Sequence, residues 1–541
     1  MSSAWHQHLI IAPILIPLLC GALQVPINHS RHRLKFLLSA LSVLGLLVTG
    51  VLLTALTDGA YWNNGIGVYL AGNWAAPFGI ALLADRLAAA MLLLTAVLAA
   101  CTLLYSLPRW GRVGVHFHPL FQFLIMGING AFLTHDLFNL FVFFEVMLAA
   151  SYGLLLHGYN AARLQAAMQY IAINLVASLL FLIGVALIYA STGTLNMADL
   201  AARISATGET DMVLLKMGVA VLAIAFLIKS AMWPIGFWLP TTYAAASPPV
   251  AAMLVLMTKV GAYVILRLWL LVFSDHAGAA AGYGFDALLW GGMATIVFGA
   301  AGMLASETSG RLAGYGAVVS SGTLLAVIGY GQPSLVTAGI YYLLGSTLAM
   351  AAFILLIELI ERIRSPGAAL LAVTMEAFAI EDAPDPPVGV GIPAALAFLG
   401  LSFTACALII AGLPPLSGFV AKFSLFHALL NPEAPGASIP ASGWTLMILI
   451  VLSGLAAIIA MMRFGVRTFW AAGKVLPPPL RLTEVAPVSL LLAACVVMTV
   501  QAGPILDYLG RASGDLHQPG LYIRSVLSAP VVPGPMREGG R

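Results

Sequence analysis

Charge is what this sequence has least of. Of its 541 residues, Lys and Arg supply 24 and Asp and Glu 21, together 8%, against about 25% in a soluble domain. With a mean hydropathy of +1.00 the chain has little surface to offer water, so its length must go into membrane spans. The net charge of +3 is small and the basic residues lie mostly in connections, which excludes a nucleic-acid footprint. Cysteine is scarce as well. Cys20, Cys101, Cys406 and Cys495 stand far apart in apolar runs with no Cys-x-x-Cys pair, so they read as small buried hydrophobes and not as iron–sulfur or zinc ligands. No GxGxxG or Walker A pattern occurs, so nucleotide chemistry would have to reside on partner chains; no cofactor and no metal is expected here. His116 and His118 flank Phe117 without further ligands, and they carry no metal reading. The N-terminus lacks a basic leader region and a small-residue cleavage site, so 9–27 reads as a retained span.

What is abundant is long apolar runs. They predict an all-α polytopic membrane protein of about fourteen transmembrane helices, the first at 9–27 and the last at 484–508. Helices 1–3 occupy 1–116, helices 4–8 occupy 117–273 and helices 9–13 occupy 286–471. A tail at 509–541, rich in Gly, Pro and Ser, reads as flexible. The stretch 365–387, with Glu376, Glu381, Asp382 and Asp385, reads as an acidic cytoplasmic connection. Arg31, Arg33, Lys35, Arg109, Arg112, Arg163, Arg311, Arg362, Arg364, Arg463, Arg467, Lys474 and Arg481 gather at odd-numbered connections; Arg203 and Arg267 lie at even ones. The odd connections are therefore cytoplasmic, which puts both termini on the periplasmic side of a bacterial inner membrane.

Two spans are interrupted. The seventh, 212–240, contains MWPIGFW with Pro234 and Gly236; the twelfth, 390–430, contains GLPPLSGFV with Gly412, Pro414 and Pro415. Lipid tolerates a broken helix only where the freed backbone groups face protein or a wet cavity. Both breaks place Pro shortly before Gly-Phe, five helices apart. Odd and even spans cross in opposite directions, so the pattern predicts two inverted five-helix units, 4–8 and 9–13. Interrupted helices at matching positions of two halves point to a transport site.

Four charges lie deep in apolar runs, where each costs about 2.5–3.5 kcal/mol to insert. Glu145 is mid-way along the fifth span. Lys229 sits five residues before Pro234, Lys259 is central in the eighth span, and Lys422 follows the second break. Burial disfavours a charged lysine and a nearby carboxylate favours it, so moving Glu145 relative to Lys229 would load or release a proton. Lys259 would relay it and Lys422 would release it. Asp136 is a candidate for proton uptake, and the solitary His427, nearer its helix end, is a weaker relay candidate that reads first as structural. Lys216, Asp85 and Arg86 sit near span ends, where snorkelling suffices to explain them.

Three stretches, DLFNLFVFFEVMLAASYGLLLHG (136–158), KSAMWPIGFWLPTTYAAASPPVAAMLVLMTKVGAY (229–263) and GLPPLSGFVAKF (412–423), resemble the D-type subunit of the Mrp-type multisubunit Na⁺/H⁺ antiporters, also called Pha or Mnh systems. That subunit belongs with the antiporter-like subunits of respiratory complex I and membrane-bound hydrogenases. The similarity runs to about residue 508. It implies fourteen helices with two inverted five-helix repeats, and a proton path of Glu145, Lys229, Lys259 and Lys422. It also implies work within a hetero-oligomer that exchanges Na⁺ or K⁺ for H⁺. Where many relatives carry a histidine in the eleventh span, this chain reads YYLLGST with Gly345, so water or hydroxyls such as Ser346 and Thr347 would bridge Lys259 and Lys422. Two rival readings exist. One is a proton-pumping membrane subunit of a complex I-like or hydrogenase-like redox complex, with no redox centre of its own. The other is a scaffold without transport, which four mid-membrane charges argue against.

Overall fold

The computed structural model describes residues 4–28, 30–59, 61–113, 116–158, 161–206, 208–362, 393–432, 438–469 and 480–531. In chain order its principal helices begin with α1 (Ala12–Gln24), α2 (His32–Asp58), α3 (Arg86–Ser106), α4 (Phe117–Leu133), α5 (Leu137–Leu155) and α6 (Ala161–Thr192). Next come α7 (Glu209–Lys229), α8 (Trp238–Ala245), α9 (Pro248–Val272), α10 (Phe285–Ala305), α11 (Ser309–Tyr330) and α12 (Pro333–Glu361). The last are α13 (Ala394–Ala411), α14 (Ser417–Leu430), α15 (Ala441–Phe469), α16 (Leu482–Val500), α17 (Ala502–Leu516) and α18 (Pro519–Leu527). Twelve helices among the described residues are long and apolar enough to cross a membrane; α1, α4 and α14 are shorter apolar helices. The chain is a polytopic helical membrane protein.

These helices are apolar all round, so burial alone sorts them into inner and outer layers. The central stretch of α9 is wholly enclosed and that of α11 is 94% buried, whereas those of α2 and α6 are only 39% buried. The outer faces carry Leu37, Leu41 and Leu44 on α2 and Met168, Leu175 and Leu179 on α6, all exposed. Surfaces this apolar belong against lipid or another chain. Lipid gives helices no hydrophobic reason to associate, so small residues let the backbones meet. A Cβ on Gly184 of α6 would stand 2.9 Å from Gly218 O of α7, and one on Gly292 of α10 would stand 2.7 Å from Gly322 O of α11.

The fold departs from the sequence expectation in four places. Residues 79–85 are not helical: β1 (Gly67–Leu70) pairs antiparallel with β2 (Ala81–Ala84), Gly67 opposite Ala84 and Leu70 opposite Ala81. Ala81–Ala84 is buried throughout, and a fully buried apolar tetrad carries no period to separate strand from helix. Second, the last span ends at Val500 and not at 508. Third, the stretch expected to be a flexible tail from 509 is helical through α17 and α18. Its glycines favour a loop, but α17 turns Leu509, Ala512 and Leu516 inward and ties Asp515 to Arg86 at 2.5 Å. Burial raises the Asp515 carboxyl above the ordinary aspartate range, against the pull of Arg86. Ser513 Oγ donates to Pro333 O at 2.7 Å.

The fourth departure is a buried ion pair. Sequence position makes Asp85 a snorkelling charge and Arg267 a loop-side one. Instead Arg267 Nη1 and Nη2 meet Asp85 Oδ2 and Oδ1, each at 2.8 Å, with both side chains under 8% exposed. Arg267 Nε donates to Tyr263 Oη, which donates to Phe132 O at 2.6 Å. Asp85 also caps α3 by accepting from Ala88 N–H. Burial by itself would raise the Asp85 carboxyl, but the Arg267 charge and these hydrogen bonds outweigh it and hold it below the usual aspartate range. The acidic connection at 365–387 lies outside the described residues.

Candidate functional site

The two breaks are built alike. At the first, α7 stops at Lys229, Ala231 takes a left-handed conformation (φ 55°), and the chain passes through a cis Trp233–Pro234 bond into α8. Freed backbone groups find partners inside the protein: Ile228 O accepts from Trp238 Nε1 at 3.1 Å, and Trp233 N–H donates to Thr295 Oγ1 at 2.9 Å. At the second, α13 stops at Ala411, Gly412 turns left-handed (φ 79°), and the chain passes through a cis Pro414–Pro415 bond into α14. Gly236 and Gly418 are the glycines of the two Gly-Phe pairs. A side chain on Gly236 would collide with Ala231 O, and one on Gly418 with Ile409 O. Each presses its own break against the end of the preceding half-helix, a close approach that only glycine permits.

Both breaks hold a lysine at the C-terminal end of a half-helix, where the helix dipole is negative. Lys229, last residue of α7, is 5% exposed, and its Nζ stands 4.9 Å from the centre of the Phe144 ring with no hydrogen-bond partner. Glu145, next to Phe144 on α5, lies within its field without a direct ion pair, and Glu145 Oε1 is likewise buried without a partner. Lys422, at the second break, donates from Nζ to Ala411 O at 2.7 Å. That carbonyl is a free end-group of α13, so the helix terminus stands where a carboxylate would otherwise be needed. Lys422 Cδ packs so close to Gly412 that any Cβ there would strike it.

Between the breaks, Lys259 on the enclosed α9 donates to Ser320 Oγ of α11 at 2.6 Å. Ser320 Oγ in turn lies 2.9 Å from Ser346 Oγ of α12. Beyond Ser346 opens a cavity of about 30 Å³, measured as space open to water centres, lined by Ser320, Tyr342, Gly345, Ser346, Ser417, Lys422 and Ser453 among others. One ordered water needs about 10–15 Å³ on that measure, so there is room for about two. Ser417 Oγ is buried on its wall without a partner. Gly345 faces it, and a Cβ there would meet Ser417 Oγ only at 3.7 Å. The cavity thus occupies the space beside Gly345, which has no side chain to fill it.

Not every expected residue joins this file. Thr347 spends its hydroxyl on Leu343 O of its own helix, at 2.6 Å, and does not line the cavity. His427 is exposed, its ring stacked on Phe423 and its Nδ1 3.2 Å from Asn431 Nδ2. Asp136 caps α5 by accepting from Asn139 N–H at 2.8 Å, and burial raises its carboxyl above the usual aspartate range. Sequence reasoning missed Ser320, Ser417 and Ser453, although hydroxyls in apolar spans are a readable signal. It also missed Gly454 of α15, where a Cβ would stand 2.9 Å from Lys422 Nζ and 2.8 Å from Ala411 O.

Broken helices carrying a file of enclosed lysines and hydroxyls define a polytopic membrane protein of the ion-transport class. The model of the NADH:quinone oxidoreductase/Mrp antiporter transmembrane family matches residues 134–447, and the chain belongs to that family. It is 52% identical to the D subunit of a probable K⁺/H⁺ antiporter of Rhizobium meliloti (strain 1021), over 97% of this chain and 98% of that one. It is 32% identical to the D subunit of the Na⁺/H⁺ antiporter of Bacillus subtilis (strain 168), over 96% of this chain and 99% of that one. A chain in the structure of the Mrp complex from Dietzia sp. DQ12-45-1b superposes with a TM-score of 0.81 at 26% identity, covering 97% of this chain and 100% of that one. A chain of respiratory complex I from Thermus thermophilus gives a TM-score of 0.71 at 22% identity, covering 94% and 99%, a likeness of fold alone.

Proposed function

We propose that this chain is the D-type, proton-conducting subunit of a multisubunit monovalent cation/proton antiporter, with K⁺ the favoured cation. The observation that carries it is the row of enclosed cationic side chains ending at two helix breaks, in a chain half identical to a subunit named for K⁺/H⁺ antiport. Nearly full-length similarity to the D subunits of two antiporters favours this over membership of a redox complex, for which a family model shared by both classes and a likeness of fold speak.

In this reading a proton reaches Lys229 under the control of Glu145. The two share a field but no ion pair, so a small movement of α5 against α7 changes which protonation state Lys229 prefers. The proton passes to Lys259, then along Ser320 and Ser346, across waters in the cavity, to Lys422. Hydroxyls both donate and accept, so Ser320, Ser346 and Ser417 fill the role that a histidine at 345 would have. The chain spans the membrane fourteen times in two inverted five-helix units, α4 to α9 and α10 to α15, with both termini on the periplasmic side. It works with the other subunits of the antiporter, as its similarity to a D subunit and to a chain of the Mrp complex supports.

The test uses inverted vesicles from cells lacking other antiporters and expressing the complete set of subunits. Energised vesicles should lose part of their pH gradient on adding K⁺, and less or none of it on adding Na⁺. Proton pumping that responds to no cation and appears only with an electron donor of the partner subunits would move the chain to a redox pump.

A further inference from the structure

A second cavity lies far along the chain from the lysine file, where the start of α2 meets the end of α3 and the start of α4. It is lined by His32, Arg33, Phe36, Leu37, Leu107, Gly111 and His118, and measures about 280 Å³. No carboxylate lines it among the described residues. His118 is 4% exposed; its Nδ1 lies 3.3 Å from Ser39 Oγ, which leaves Nε2 turned toward Gly111 and the cavity. The buried Lys35 adds its charge to the same neighbourhood.

The mouth of this basic cavity is continuous with an apolar stripe. Leu37, on the cavity wall, is followed along α2 by Leu41, Leu44, Val48 and Val51, all more than half exposed and spaced alternately four and three residues apart. Positive groups at the end of a membrane helix, above one continuous apolar face, match a molecule with an anionic head and a long acyl chain. We propose that this cavity binds the phosphate headgroup of an anionic phospholipid, with an acyl chain laid along the α2 stripe. Arg33 supplies the charge, with Lys35 behind it and His32 as a hydrogen-bonding ring on the wall, and Phe36, Leu37 and Leu107 cover the glycerol region. An inorganic phosphate satisfies the first half of the site only. The assignment does not depend on the proton path.

The whole antiporter complex, purified in a neutral detergent, is the sample. Thermal unfolding and lipid retained in native mass spectra are followed with added phosphatidylglycerol, phosphatidylcholine or inorganic phosphate. Phosphatidylglycerol should raise the unfolding temperature and be retained, and the other two should do neither. Removing one interfacial positive charge weakens anionic lipid binding about fivefold, so Arg33→Gln should show that loss and Arg33→Lys should recover most of it. Arg33 is exposed, so neither change threatens folding. Equal retention of phosphatidylglycerol in wild type and Arg33→Gln, an equal effect of phosphate alone, or no lipid effect because a neighbouring subunit covers the stripe would each overturn the proposal.

Discussion

Gly454→Ala probes the second lysine without touching a charge. The added methyl would sit 2.9 Å from Lys422 Nζ and 2.8 Å from Ala411 O, which are themselves joined by a 2.7 Å hydrogen bond. The carbonyl belongs to the end of α13 and is held by the break. The ammonium is the cheaper part to move and is displaced from Ala411 O, while α15 backs off to relieve the methyl from the carbonyl. A hydrogen bond to a charged group is worth about 1.5–3 kcal/mol, so a relay that depends on it slows by about tenfold to a hundredfold. The assay is the initial rate of K⁺-induced collapse of the pH gradient in inverted vesicles, normalised to assembled complex. Gly400→Ala on α13 is the control, because nothing lies within 4 Å of a Cβ there. Wild-type exchange by an assembled Gly454→Ala complex would refute the reasoning that Lys422 works from its seat on Ala411.

Ser417→Ala removes a buried hydroxyl that has no partner in the protein, so the complex should be as stable as wild type or slightly more so; exchange should nevertheless fall about tenfold, the worth of one hydrogen bond in the relay. An unchanged rate would take the cavity out of the path. Asp85→Asn leaves Arg267 buried without its counter-charge and should cost about 3–5 kcal/mol, seen as a large drop in thermal stability of the purified complex; an unchanged melting temperature would show that the pair is not holding α3 to α9. The Asp85 carboxyl is held below its ordinary value when folded, so its contribution is present above the usual aspartate pKa and is lost as pH falls through the lower folded one. Acid titration of stability in wild type, flattened in Asp85→Asn, checks that sign.

The membrane class and both breaks are legible from sequence because lipid allows so few solutions: proline and glycine inside a span must face protein, and a charge there must have a reason. Glu145, Lys229, Lys259 and Lys422 can be named for the same cause. What joins them is legible only in part: Ser346 can be named beside Thr347, but Ser320 cannot. Ser320 and Ser346 matter because α11 and α12 bring two hydroxyls to 2.9 Å, and nothing in their local sequence separates them from Thr347, which turns back to its own helix. Gly454 looks like any small residue in a span until α14 brings Lys422 against it. The Asp85–Arg267 pair joins residues 182 apart, beyond the reach of local reasoning. The helical tail is hidden from sequence because glycine content argues for a loop, while the contacts that order α17 come from Arg86 and Pro333.

The central claim is that protons cross through this chain by way of its buried lysines. Inverted vesicles carrying the complete complex with Lys229→Ala, at wild-type subunit content, put it to the most direct test. With the ammonium removed, K⁺ should no longer collapse the pH gradient, while respiration still builds it. A full K⁺ response in those vesicles would mean that the protons take another route.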